Sequence, residues 1–422
     1  MNSCGSRLAT MIAGNAMKTS TDRILTTHVG SLPRPQPVVD LLAQRELGTG
    51  FDETAFYRAM KHAVSAVVTL QREAGVDIVS DGEQSKASYA SYIKDRLSGF
   101  SGTSAPIRGA DLDEYPNFAA RLMKRREGAI KLNRPCCTGP IALRNDQPLR
   151  EDLANFAAAL ANAAQLESPA VEGFLNAASP GVLAVFQQNQ HYASHTEYLQ
   201  ALADAMRAEY RAIVKAGFVL QIDCPDLAMG RHIPFKHETT EQFLVHVHEQ
   251  IEVLNAALTD LPADRIRIHL CWGNYEGPHH RDVELNEIFD AVMTIRAQGL
   301  LFEAANPRHA HEWIVFEQRK AQIPDDKILI PGVIQSTSNY IEHPQLIAQR
   351  LERFADIVGR ERVIAGSDCG FSTFAGDGLV EPAIVWAKLR AMSEGAAIAS
   401  GRLWRIYTGA DNQFRALNNI GR

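Results

Sequence analysis

Several things that would assign this sequence quickly are missing from it. Positive charge is not in excess: 43 Lys and Arg against 49 Asp and Glu leave a formal charge of −6, so there is no basic footprint for a nucleic acid. No uninterrupted apolar run reaches the roughly 18 residues that a membrane span requires. Cysteine is sparse, at six in 422 residues. The opening stretch MNSCGSRLATMIAGNAMKTS has one arginine and a broken apolar segment, a poor match to a signal peptide. These features point to a reducing cytoplasm, where thiols serve catalysis or metal binding rather than a disulfide framework. No linker rich in Pro, Gly or Ser divides the chain, and no G-x-G-x-x-G follows the first predicted strand, which argues against a dinucleotide-binding doubly wound sheet. Residues 1–22 read as an N-terminal extension without fixed structure, with Met17 as a second candidate start, and residues 23–422 as a single domain.

What the chain does have is alternation. Strand-length apolar runs (ILTTHVGS, VDIVSDGE, LNRPCCTGPIAL, FVLQIDCPD, RIRIHLCWG, GLLFEAANP, KILIPGVIQS and RVIAGSDCGF) are separated by longer stretches with helical periodicity. SPGVLAVFQQNQ fits a strand or part of a long excursion equally well. Helices are expected at about 240–261, 283–298, 309–322, 344–358 and 382–400, besides two long ones ending at Gly75 and Gly217. Such alternation implies parallel strands joined by crossovers, and eight strands in one domain predict an α/β fold, a (β/α)₈ TIM barrel with inserted loops.

In a barrel of this kind the chemistry sits at the C-terminal ends of the strands. The residues leaving the predicted strands are Ser31, Glu83, Thr138, Asp223, His269 with Cys271, Glu303, Gln335 and Cys369. In HLCWGN, alternation puts Ile266, Ile268 and Leu270 on one face and Arg267, His269 and Cys271 on the other. The apolar face suits the surrounding helices, so the polar face points into the barrel. Two thiols, an imidazole and the carboxylate of Glu303 form a donor set suited to zinc. Plainer readings exist. Buried Cys and His also serve as packing residues, Glu303 could pair with Arg308, and Cys369 could be an incidental thiol in a tight turn. Cys136, Cys137 and Cys224 read as packing, and His279 and His280 as loop residues at the mouth.

The blocks TTHVGSLPRP, SDGEQ, CTGP, LQIDCPD, HLCWGNY, FEAANPRH and GSDCGFSTF, in this order, resemble the zinc-bearing C-terminal barrel of cobalamin-independent methionine synthases, a fold shared with uroporphyrinogen decarboxylase. The resemblance implies zinc at His269, Cys271, Glu303 and Cys369, and an amino-acid thiol held by Ser31, Glu83 and Asp223. It implies methyl or alkyl transfer from a donor to a small thiol such as homocysteine. The chain departs from the pattern in GVIQSTSNY, where Gln335, Ser336 or Thr337 stands in place of a family histidine that assists the leaving group. It also has a single barrel, and IDCPD where the synthases have IDEPA. HLCWGNY with GPHH also resembles epoxyalkane–coenzyme M transferases, in which a zinc thiolate opens an epoxide. A metal-free decarboxylase-like barrel is a more distant alternative, and it predicts basic residues at the strand ends.

Overall fold

The computed structural model of the chain describes residues 16–48, 50–126 and 129–404. Its ten strands are β1 (Leu25–Thr26), β2 (Ile78–Val79), β3 (Phe100–Ser101), β4 (Cys136–Cys137), β5 (Glu172–Ala178), β6 (Val219–Asp223), β7 (Ile266–Leu270), β8 (Gly299–Phe302), β9 (Ile328–Ile334) and β10 (Ile364–Ser367). Eight of them form one parallel sheet in the order β1-β10-β9-β8-β7-β6-β5-β2. The ring closes between β1 and β2, where Asp77 N–H donates to Thr26 O at 3.1 Å and Asp77 Oδ2 accepts Thr26 N–H at 3.1 Å. The expected (β/α)₈ barrel is therefore the fold. All eight strands are buried on both faces, as helix-covered parallel strands must be.

Two segments differ from the sequence expectation. LNRPCCTGPIAL is not a barrel strand: β4 pairs antiparallel with β3 in a separate two-stranded ribbon, and Thr138 bonds Ser101 on its exposed surface. The third barrel strand is β5, EGFLNAA, whose Gly, Asn and Ala give it little β propensity. SPGVLAVFQQNQ is largely the helix Pro180–Phe186, capped by Ser179. The ribbon carries residues 102–126 and 129–135, including the helices Ala110–Glu114 and Pro116–Arg125, as a roof over the mouth. The helices Gln36–Leu47 and Gln147–Ala163 are additional to the expected set, and most of the expected ones lie where their periodicity put them, notably Thr240–Ala257 with a Thr239–Gln242 capping box. The expected helices at 283–298 and 309–322 shorten to Leu285–Met293 and Trp313–Gln318.

The base of the barrel is packed with Met17, Leu25, Val29, Ile78, Phe174, Val219, Leu301, Ile328, Ile330 and Ile364. Met17, within the stretch read as an extension, is thus part of the core; residues 1–15 lie outside the described residues. Above this layer Arg267 crosses the interior. Its guanidinium donates to Gln221 Oε1 (2.8 Å), Thr27 Oγ1 (3.0 Å) and His28 O (3.0 Å), and lies 3.7 Å from the Phe174 ring centroid. No helix among the described residues is long and apolar enough to cross a membrane.

A buried carboxylate behind the rim gives a pH prediction. Asp226 follows β6 and accepts from Ser179 Oγ at 2.5 Å; burial pushes its carboxyl up to about 7. An unfolded Asp titrates near 4. Below that both states are protonated; between the two values only the unfolded chain ionises, and stability falls as pH rises. Asp226→Asn is expected to match wild type in thermal melts near pH 4 and to exceed it above pH 7. Equal melting temperatures at pH 8 would refute this.

Candidate metal centre and substrate cavity

β7 leaves the barrel as His269–Leu270–Cys271, and β10 leaves it as Ser367–Asp368–Cys369. One ring nitrogen of His269 and the sulfurs of Cys271 and Cys369 all lie within 4.8 Å of one another. The two sulfurs are 3.7 Å apart, and Gly273 N–H points at Cys271 Sγ from 3.3 Å. All three residues are buried. Register explains the neighbour of His269: it pairs with Asp223 on β6, and His269 Nδ1 lies 3.3 Å from Asp223 Oδ1. Burial opposes charge on this imidazole, but Asp223 and Cys271 outweigh it and raise the group to about 10. The Cys271 thiol is held well above its ordinary value by its contact with Cys369 and by burial. A cation would reverse that balance.

Glu303, the fourth expected ligand, stands beside this group rather than in it. Its Oε1 accepts Trp272 N–H at 2.8 Å and its Oε2 accepts Asn306 Nδ2 at 2.6 Å. The turn after β8 that carries it is held by Asp368, whose Oδ1 accepts Ala304 N–H and Ala305 N–H and whose Oδ2 accepts Asn306 N–H, at 2.8–2.9 Å.

Ser31, Glu83 and Asp223 line the same cavity as His269, Cys271 and Cys369, a space of about 400 Å³. Its upper walls are apolar, with Ile107 and Leu122 from the roof and Phe374 from the loop after β10. Gly370 lets Ser31 approach, since a Cβ there would collide with Ser31 Oγ. Glu83 has φ +54°, a left-handed conformation uncommon for a non-glycine residue. It is held by Arg34, which donates to Glu83 O through Nε (3.2 Å) and Nη2 (2.6 Å). Burial pushes the Glu83 carboxyl up to about 7, against the pull of Lys86, and Oε2 has no hydrogen-bond partner among the described residues. A second chamber of about 210 Å³ is lined by Glu303, His279, Asp368 and Cys369. Gln335, Ser336 and Thr337 face it too.

A family model described as "Cobalamin-independent synthase, Catalytic domain" matches residues 24–172 and 103–397. The chain belongs to the cobalamin-independent synthase family. Among curated relatives it is 22% identical to a methionine synthase of Saccharolobus solfataricus over 385 residues, covering 90% of this chain and 96% of that one. It is 25% identical to a methionine synthase of Thermococcus kodakarensis over 381 residues, covering 90% and 94%. Among solved structures, a B12-independent methionine synthase from Shewanella sp. W3-18-1 in complex with selenomethionine shares the fold with TM-score 0.66 and 18% identity, covering 90% of this chain and 99% of that one.

Within the cobalamin-independent synthase framework, some residues of the site carried no usable signal in the sequence. Asn176 Nδ2 donates to Val29 O (2.8 Å) and Asp223 Oδ2 (3.0 Å), but it lies on the strand that was not anticipated. Asp368 is visible in GSDCGF only as a neighbour of Cys369. Cys224 points away from the thiol pair, its sulfur 3.6 Å from Ile222 O. His279 lines the second chamber, while His280 pairs with Glu114 at 3.0 Å on the surface. The basic residues at the mouth, Arg108, Arg126 and Arg134, come from the roof and not from strand ends.

Proposed function

We propose that this chain is a methyltransferase that moves a methyl group from a donor onto the sulfur of a small thiol of the homocysteine type. In this reading a zinc ion is held by His269, Cys271 and Cys369, with Glu303 as the fourth, oxygen donor. The observation that carries it is the meeting of two thiols and an imidazole within 4.8 Å at the wall of the cavity that Ser31, Glu83 and Asp223 line. Soft sulfurs with an imidazole suit zinc, and the buried thiols stay protonated without a cation. Bound there, zinc would supply the positive charge that keeps a substrate thiol ionised at neutral pH.

The chain's own groups orient the reactants. Asp223, fixed by Asn176 and by Gln221 Nε2 at 3.0 Å, and Glu83, with its unpartnered oxygen, attract the ammonium of an amino-acid thiol. The Ser31 hydroxyl lies beside Gly370 and contacts the same substrate. The apolar roof keeps water from the reacting sulfur. The synthase names of the relatives support homocysteine as acceptor; an epoxide donor and a metal-free decarboxylase chemistry gain no support from them. Five free cysteines among the described residues suit a cytoplasmic setting.

A product assay tests this reading. Zinc-loaded protein with homocysteine and methyl-folate, methylcobalamin or epoxide donors should yield the methyl thioether from a methyl donor. Absence of thioether from every donor, with zinc bound, would overturn it. Glu83→Gln is expected to raise KM for the thiol by about 10-fold with kcat little changed, the pattern of binding lost equally from the ground and transition states. A fall in kcat at constant KM would remove Glu83 from the binding role.

A further inference from the structure

Methyl transfer to a thiol from an amine-type donor leaves one proton to be placed, because the nitrogen departing from the methyl carbon must acquire one. Gln335, Ser336 and Thr337 offer only amide and hydroxyl groups at the second chamber. An imidazole reaches the main cavity from another element. His232 closes the 3-10 turn Met229–His232 that follows β6 and lines the same cavity as Cys271 and Cys369. It is buried, and its Nδ1 lies 3.2 Å from Asp282 Oδ1. Both ring nitrogens are buried, and neither makes a hydrogen bond to the described residues. A histidine kept only for packing would have its second nitrogen satisfied.

The carboxylate behind it is firmly held. Asp282 Oδ2 takes His279 Nδ1 at 2.8 Å and His309 Nε2 at 2.9 Å. The His279 ring lies against Tyr275 and the His309 ring against Trp272, each with centroids 4.2 Å apart. Burial works against the Asp282 charge, yet the three imidazoles hold its carboxyl far below the usual range. An imidazole in the wall of a reaction cavity, beside a fixed carboxylate and with ring nitrogens that no other group takes up, is placed to act as a general acid.

We propose that His232 is the acid that protonates the leaving group of the methyl donor, an inference that rests on the methyl-transfer reading above. The lone pair of the substrate thiolate forms the new S–C bond. The C–X bond breaks with its electron pair going to X, and the Nε2 proton of the His232 imidazolium passes to X. Neutral His232 regains a proton from solvent. The sum is RSH plus CH₃–X giving RSCH₃ plus HX, the thiol proton having left on ionisation. Asp282 orients the ring and balances its charge.

The test uses the full-length zinc-loaded enzyme with two methyl donors. One is a 5-methyl reduced pterin, whose amine nitrogen needs a proton to leave; the other is a methyl sulfonium, whose sulfide leaves neutral. His232→Gln is expected to slow the pterin reaction by about 100-fold or more and to leave the sulfonium reaction and thiol binding unchanged. His232→Ala should regain pterin-dependent turnover when imidazole is added. If the Gln variant slows both donors equally or neither, or if imidazole restores nothing, His232 is not the acid. A wild-type enzyme that makes thioether from no donor fails earlier, at the reaction itself, and overturns the inference with it.

Discussion

Replacing either Cys271 or Cys369 with serine is expected to strip zinc from the protein and to lower thioether formation by about 1,000-fold or more. The two sulfurs are 3.7 Å apart and buried, and a serine hydroxyl does not ionise there. Loss of one sulfur leaves an imidazole, one thiol and a carboxylate already engaged by Trp272 N–H and Asn306. The strand ends that carry the cysteines are fixed by the barrel ladder, so the fold should survive. Elemental analysis of dialysed protein should give about one zinc per chain for wild type and a small fraction of that for either variant, with unchanged circular dichroism. A serine variant that keeps both its metal and its rate would refute the assignment.

The second large effect is expected one residue away. Asp368→Ala would leave the N–H groups of Ala304, Ala305 and Asn306 without their acceptor. Each buried orphan donor costs about 1–3 kcal/mol, so urea unfolding should show a loss of about 3 kcal/mol or more. The same change frees the turn that carries Glu303, and zinc affinity should fall by about 10- to 100-fold, as when a group that orients a ligand is removed. β9 supplies no substitute contact at this point, because the residue packed against Asp368 is Gly332, which has no side chain. An alanine variant within about 1 kcal/mol of wild type would show that the turn holds itself.

The parts of this site that could be read from sequence are those in which periodicity and donor chemistry agree. RIRIHLCWG is apolar on alternate residues, so the inward direction of Arg267, His269 and Cys271 followed from a two-residue repeat, and the structure brings His269 and Cys271 together with Cys369. β5 failed the same reasoning: its inward residues are Phe174 and Asn176, and Gly173 faces the helix Gln147–Ala163, where a Cβ would meet Phe156 and Leu160. A strand selected for close helix packing and for an interior amide has little left to mark it as a strand. The two cysteines of β4 show the reverse error, an extended apolar segment that belongs to the roof. His232 and Asp282 are fifty positions apart, in segments without strand or helix periodicity, and only the fold places them in contact.

The closure of the barrel divides the site mechanically. From β5 to β9 the strands are joined by regular ladders, and this arc carries Asp223, His269, Cys271 and Glu303, while β10, which leads to Cys369, joins β9 with a register shift at Gly366 and Ser367. β1 and β2 are two residues each and meet largely through one aspartate, Asp77. Ser31 and Glu83 extend from that seam, Glu83 on a strained backbone. In the methyl-transfer reading proposed above, the molecule is built like a vice: the jaw of Asp223, His269 and Cys271 stands on long regular ladders, and the jaw of Ser31 and Glu83 stands on the shortest strands of the barrel.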